Sequence, residues 1–385
     1  MNFSKLAAYL DTFYAQKDIP GLGCAVYYKH RPVFEHYAGF SDVENKVAFG
    51  PETVFRLYST TKIATCTAAL QLMEAGKYRL SDPLYEYLPE FRHMAVSCAG
   101  QDGTVDIRPA QNIITIEQLF SMTAGIAMWS AEDTKQFRDA QGNPLGTQAV
   151  IRSLAEKPLM FEPGTRFKYG ICHDVLGALV EVVSGRRFGA YVKENVLDAL
   201  GMRDTSFDLP EEGRFCKLYS HFSGKTHTAE STGDAYRHIL KPTPLYESGG
   251  GGLYSSVRDY VLLAQALCNG GAAQNGARLL KKETVDLMRT KRLAKDAQQD
   301  FEAFGGPSKY GYSYGLGVRT LVDRERNNSL SRNGEFGWDG ACGCYVLMDP
   351  GSQLALFYAQ QEAGSQWWFW HGTVRNMAYA SVWGD

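Results

Sequence analysis

The chain has 385 residues, 44% of them hydrophobic and 21% charged, with 40 basic against 42 acidic side chains and a net charge of -2. That composition is ordinary for a globular protein of enzyme size with a large core. The even charge balance and the lack of any Lys/Arg-rich run leave no electrostatic footprint for nucleic acid or an anionic membrane, and no eighteen uncharged apolar residues occur in a row to span a bilayer.

Residues 1–11 read as an amphipathic helix, with an acidic residue too early and an apolar run too short for a secretory signal, so the expected compartment is the cytoplasm. Residues 23–28 and 33–39 alternate as strands do around the basic turn Lys29-His30-Arg31-Pro32, which predicts a hairpin. Next comes Ser59-Thr60-Thr61-Lys62, the only Ser-x-x-Lys in the chain. On a helix, positions i and i+3 share a face one turn apart, so the Lys62 amine can reach the Ser59 hydroxyl and take or steer its proton. Residues 63–75 are apolar on nearly every face and stop at Gly76, the mark of a buried helix whose first turn points into the protein. A lysine placed there is shielded from water and suited to work as a base.

From about 115 to 240 helical periodicity dominates, over 116–122, 149–155 and 174–183. The run Gly249 to Gly252 is no phosphate loop, because no Gly-Lys-Ser/Thr follows it; Ser256-Val257-Arg258-Asp259 instead caps a helix over 260–267. Strand patterns return at 314–322, 343–348 and 353–359, ahead of an aromatic helix from about 364. Strands at both ends with helices between predict an α+β fold, an antiparallel sheet flanked by helices and interrupted by an all-α insertion. The expected division is a sheet domain of residues 1–90 and 241–385, a helical insertion of 91–240, and an active site at their interface.

A rival nucleophile stands in Gly311-Tyr312-Ser313-Tyr314-Gly315, a Gly-x-Ser-x-Gly followed by Asp323, Asp339, Asp349 and His371 in the chain order of an α/β-hydrolase triad. Such an elbow needs a strand before it and a helix after it, whereas Gly305 to Lys309 precedes Ser313 and a strand pattern follows. Ser59 is therefore favoured. The eight cysteines are scattered among apolar neighbours without a Cys-x-x-Cys pair, and the eight histidines show no His-x-x-x-His spacing, so reduced core thiols and no metal are expected.

Taken together, these residues resemble the serine β-lactamases and penicillin-binding proteins, in the class C-like branch that includes the β-lactamase-fold carboxylesterases of family VIII. Besides Ser59-Thr60-Thr61-Lys62, the likeness rests on Leu80-Ser81-Asp82-Pro83-Leu84, the segments 118–125, 162–169 and 200–207, and Ser248-Gly249-Gly250-Gly251-Gly252-Leu253, in the same order over nearly the whole chain. The resemblance implies a β-lactamase/transpeptidase-like fold and acyl transfer through a serine ester, with no cofactor. The family's Tyr-x-Asn maps onto Tyr169-Gly170-Ile171, so Tyr169 would relay the proton with Lys62; its Lys-Thr-Gly maps onto Trp338-Asp339-Gly340, where the esterase branch shows Trp-Gly-Gly. The amides of Ser59 and Ala341 would form the oxyanion hole, and Trp338, Gly340, Phe336 and Trp129 would bind substrate.

Two departures matter. Ile171 lacks the amide that holds a β-lactam's amide, and Trp338 lacks the cation that faces its carboxylate. Both favour neutral, apolar acyl groups, so the expected partner is a small-molecule acyl ester or amide, and the expected activity that of a carboxylesterase on short to medium esters. The alternatives are a β-lactamase, D-amino-acid peptidase or acyltransferase of the same fold, and a binding or assembly protein that keeps the fold without turnover. Asp339, where a glycine or threonine is usual, has no explanation in the sequence.

Overall fold

Residues 23–28 do not alternate as expected but, like 354–359, are apolar at almost every position, a pattern that a strand sustains only when both of its faces are covered. The computed structural model, which describes residues 1–17, 19–99, 104–209, 213–222, 225–228, 243–364 and 367–384, meets that demand with an eight-stranded antiparallel sheet. Its strands are β1 (Gly21–Tyr28), β2 (Arg31–Asp42), β3 (Val47–Ala48), β4 (Tyr312–Tyr314), β5 (Arg319–Leu321), β6 (Phe336–Asp339), β7 (Tyr345–Asp349) and β8 (Leu354–Gln360). They lie in the order β4-β5-β6-β7-β8-β1-β2-β3, so the first and last of these eight strands pair inside the sheet.

The helices that position the site are α1 (Ser4–Lys17), α2 (Thr61–Glu74), α3 (Cys172–Ser184), α4 (Val257–Cys268), α5 (Lys295–Gly305) and α6 (Trp367–Trp383). The period of two along the strands sorts the core into layers. Cys24, Val26, Leu356 and Tyr358 point to one face and pack with Leu6, Leu10 and Phe13 of α1 and Trp370 and Val374 of α6. Ala25, Val346 and Phe357 point to the other, against Val257, Tyr260 and Leu263 of α4, with α2 and α3 in the same cluster. The Ser256 hydroxyl accepts from the Asp259 amide at 3.3 Å, which starts α4. Helix α2 is buried over its whole first two turns, and α3 ends on Gly185 in the left-handed region at φ 70°.

The expectation of an all-helical insertion over 91–240 is corrected. Ala95–Ala99 pairs with Val105–Pro109, and Tyr219–Phe222 with Lys225–Thr228, as two antiparallel hairpins. Val105-Asp106-Ile107-Arg108 does alternate, but over too few residues to stand out, and with Val105 and Ile107 exposed the alternation marks no core face. Between the hairpins the described structure is largely helical, with Ile116–Phe120, Thr147–Ser153 and α3 among its helices. Residues 100–103, 210–212, 223–224 and 229–240 of the expected helical block lie outside the described residues.

Two histidines sit wholly inside this architecture, His173 with Nε2 3.2 Å from the Phe120 carbonyl oxygen and His371 with Nε2 3.0 Å from that of Gly343. Burial pushes each down to about 3. Below pH ~6.5 the unfolded chain therefore takes up protons that the folded chain refuses, and stability is complete above that value and lost as pH falls toward the folded pKa. Each histidine contributes up to about 1.4 kcal/mol per pH unit within that window. Urea midpoints should fall between about pH 7 and about pH 5, less steeply in His371→Gln; an unchanged slope in the variant would remove His371 as a source. The variant comparison also separates the histidine from Asp259, which burial pushes up to about 6 and which titrates with the opposite sign.

Candidate active site

Ser59 lies in the single 3-10 turn Tyr58–Thr60 that feeds α2, one step ahead of the helix proper. Tyr58 before it has φ 47°, a left-handed conformation that a bulky residue keeps only when its surroundings enforce it. The enforcement is visible: the Leu57 amide donates to the Leu253 carbonyl at 3.0 Å, the Thr60 hydroxyl to the Leu57 carbonyl at 2.8 Å, and the Tyr260 hydroxyl to the Thr60 carbonyl. Lys62, in the first turn of α2 and 3% exposed, donates from Nζ to Ser59 Oγ at 3.1 Å and to the Gly250 carbonyl at 2.5 Å.

The glycine run of residues 249–252 is what lets the chain press between α2 and α3. The Thr65 hydroxyl donates to the Gly249 carbonyl at 2.7 Å, and a Cβ on Gly250 would lie 2.5 Å from Asp174 Oδ2 and 3.5 Å from Lys62 Nζ. Asp174 thus stands behind the amine, in the first turn of α3. It accepts from the Tyr246 hydroxyl at 2.7 Å, whose oxygen accepts in turn from Trp129 Nε1 at 3.3 Å. Burial raises the Asp174 pKa, while hydrogen bonds from Ser248 and Tyr246 and the charge of Lys62 pull it back. Sequence reasoning missed Asp174 and Tyr246. The available signal was a carboxylate in the first turn of a helix otherwise apolar around it.

Tyr169, the ring over which Lys62 Nζ sits 4.8 Å from the centroid, belongs to an aromatic wall. Trp338 stacks on it at 5.6 Å and donates its indole N–H to the Tyr169 hydroxyl at 3.0 Å, and Phe304 of α5 also stacks on it at 4.8 Å. These groups bound a cleft of about 1260 Å³, also lined by Ser59, Trp129, Ile171, Gly340 and Ala341. A Cβ on Gly340 would meet the Leu57 carbonyl oxygen at 2.6 Å, so glycine there lets the end of β6 close on the nucleophile's turn.

One expectation does not survive the geometry, while the rival nucleophile set aside on sequence context stays excluded. Phe336 does not line the cleft: two residues before Trp338, hence about 7 Å further along β6, it is fully buried opposite Met348. Ser313 is no elbow, for it lies in mid-strand on β4, paired with Thr320, 2% exposed and away from the cleft, with β5 and no helix after it.

Asp339 acquires its explanation here. It pairs with Lys309 and, at 3.1 Å, with Arg319 Nη1; Arg319 Nη2 reaches Glu335 at 3.4 Å and the Val346 carbonyl at 2.8 Å. Tyr312 donates to Glu335 at 2.6 Å and Arg375 to Tyr312 at 3.1 Å, which closes a buried network behind the cleft. Burial opposes ionisation of Asp339, but the charges of Lys309 and Arg319 win and hold it at about 2. Lys309 is lowered by the same burial. All eight cysteines are free thiols. Among the described residues no three His, Cys, Asp or Glu side chains converge as metal ligands, and no helix is long and apolar enough to cross a membrane.

Known proteins share this arrangement of chain. Protein Rv1367c of Mycobacterium tuberculosis is 31% identical over 333 residues, covering 84% of this chain and 81% of its own. Esterase EstB of Burkholderia gladioli is 27% identical over 381 residues, covering 92% and 90%. The solved structure of EstCE1, described as a hydrolase with promiscuous acyltransferase activity, matches with a TM-score of 0.79 at 23% identity over 99% of this chain and 98% of its own, which shows a common fold of the β-lactamase/transpeptidase type. The family model described as Beta-lactamase matches residues 6–367, and the chain accordingly belongs to the beta-lactamase family.

Proposed function

We propose that the protein is a serine hydrolase that works through an acyl-enzyme on Ser59 and cleaves carboxylic esters with neutral, apolar acyl groups. The observation that carries this reading is the contact of the buried Lys62 amine with Ser59 Oγ at 3.1 Å on the floor of an aromatic cleft. Ser59 Oγ attacks the ester carbonyl while its proton passes to Lys62 and Tyr169. Because the Tyr169 hydroxyl oxygen accepts from Trp338, its own proton is free to point elsewhere, which suits a relay between nucleophile and leaving group. The amides of Ser59 and Ala341 take the developing oxyanion. The alcohol leaves with the relayed proton; water then adds to the acyl-enzyme, releases the acid and returns the proton to Ser59. The esterase name of one relative supports the same substrate class, and Ile171 and Trp338 in place of an amide and a cation argue against β-lactams and acyl-D-amino acids.

Acyl transfer to an alcohol is the second reading. It is favoured by the size of the cleft, about 1260 Å³ against roughly 300–1000 Å³ for a common ligand pocket, which leaves room for an acceptor beside a bound acyl group.

Hydrolysis of p-nitrophenyl butyrate should fall by at least ~10³-fold in Ser59→Ala and stay near wild type in Ser313→Ala, with a chromogenic cephalosporin turned over far more slowly by all. A Ser59→Ala variant with full activity sinks the reading, and failure of Ser59 to label with a fluorophosphonate would instead mark a binding protein. Tyr169→Phe should lower kcat by ~10²-fold or more with a smaller change in KM; an unchanged kcat takes Tyr169 out of the mechanism. Adding an excess of a primary alcohol to the ester assay separates the two readings: acyl transfer yields a new ester at the expense of free acid, hydrolysis does not.

A further inference from the structure

The cleft has a roof, and the roof is tied down at two points. Helix α5 brings Phe304 over Tyr169. At its middle, Asp300 accepts from Arg166 Nε at 2.6 Å and from the Phe167 amide at 3.1 Å, which joins the roof to the segment that carries Tyr169. Past its end, the turn Gly306–Lys309 brings the chain back and sends Lys309 inward to Asp339. That route is built for the lysine. Gly306 takes φ 55°, and a Cβ added at Gly305 would collide with the Lys309 stem, so this bend admits the inward side chain only with glycine at 305.

Asp339 is the last residue of β6, between Trp338, which holds the Tyr169 hydroxyl, and Gly340-Ala341. Lys309 also lies 5.4 Å from the Trp338 ring centroid. Both ion-pair partners line the large cleft and also a polar chamber of about 110 Å³ behind it, so together they form part of the wall between the two. The pair therefore joins the element that covers Tyr169 to the strand that leads into the oxyanion loop.

We propose that the Lys309–Asp339 pair is a strut that fixes the Phe304 roof and the Trp338–Ala341 strand relative to Ser59, and that both residues are positioning residues for acyl transfer. This rests on the hydrolase reading above. Neither side chain need touch the reacting atoms. Their effect is on the placement of Tyr169 and of the oxyanion amides, and a small misplacement there is felt in turnover rather than in binding.

The test is steady-state hydrolysis of p-nitrophenyl butyrate by Lys309→Met, Asp339→Asn and the double variant, with Ser59→Ala alongside, at a temperature where melting shows each to be folded. Each single variant should lose about 10- to 100-fold in kcat with KM changed less than about threefold, and the double should be no worse than the worse single. Asp339→Asn leaves two buried cations facing each other; should it fail to fold, Lys309→Met decides alone, because Arg319 still pairs Asp339. A Lys309→Met enzyme with wild-type kcat overturns the strut, as do losses that multiply in the double variant. If Ser59→Ala is fully active, the hydrolase reading itself has failed; if it is dead while Lys309→Met is normal, only the strut has.

Discussion

A lysine amine buried at the meeting of two helices is the constraint around which this molecule is arranged. Taking an amine out of water is expensive unless its hydrogen-bonding groups are met. Here the Gly250 carbonyl, Ser59 Oγ and the nearby Asp174 carboxylate meet it. Each of those partners constrains a separate stretch of chain. Gly250 must approach with bare backbone, α3 must begin where Asp174 can stand behind the amine, and the turn ahead of α2 must present a hydroxyl. The left-handed Tyr58 is the local strain that the last requirement leaves, held by hydrogen bonds to Leu57 and Thr60.

The aromatic wall answers a different demand. Tyr169 needs a fixed ring and an oxygen whose hydrogen bonding is directed, and Phe304 and Trp338 fix the ring by stacking on it while the indole N–H engages the oxygen. Trp338 itself leans edge-on against Tyr314 at 5.0 Å, so the wall is continuous with the sheet's own core. A residue of this kind is both core and lining.

What could be read from the sequence followed from local periodicity and spacing. The uniformly apolar residues 63–75 announced a buried α2, Ser59 and Lys62 announced themselves by their i, i+3 spacing, and the strand patterns at 23–28, 33–39, 343–348 and 353–359 announced strands of the sheet. What escaped was set by long-range pairing. Nothing near Asp339 in sequence points to Lys309, thirty residues away, or to Arg319, because buried charges find partners through the sheet and not along the chain. Phe336 misled because strand alternation gives the face but not the distance along it, and at that distance the cleft has ended. The hairpin Ala95–Ala99 with Val105–Pro109 was hidden because its outward residues are apolar too.

The order of strands has a consequence for how the chain is made. β1 and β8 are neighbours at the centre of the sheet, joined from Leu22 with Gln360 to Tyr28 with Leu354. During synthesis β1, β2 and the two-residue β3 emerge first and form little more than a hairpin, marginal by itself, whose inner edge along β1 stays unpaired. That edge has no native partner until residue 360 has left the ribosome, by which time the helical segments have long been available to fold. The N-terminal hairpin is thus a vulnerable surface for most of the protein's birth, and closure of the sheet by β8 is the late step that removes it.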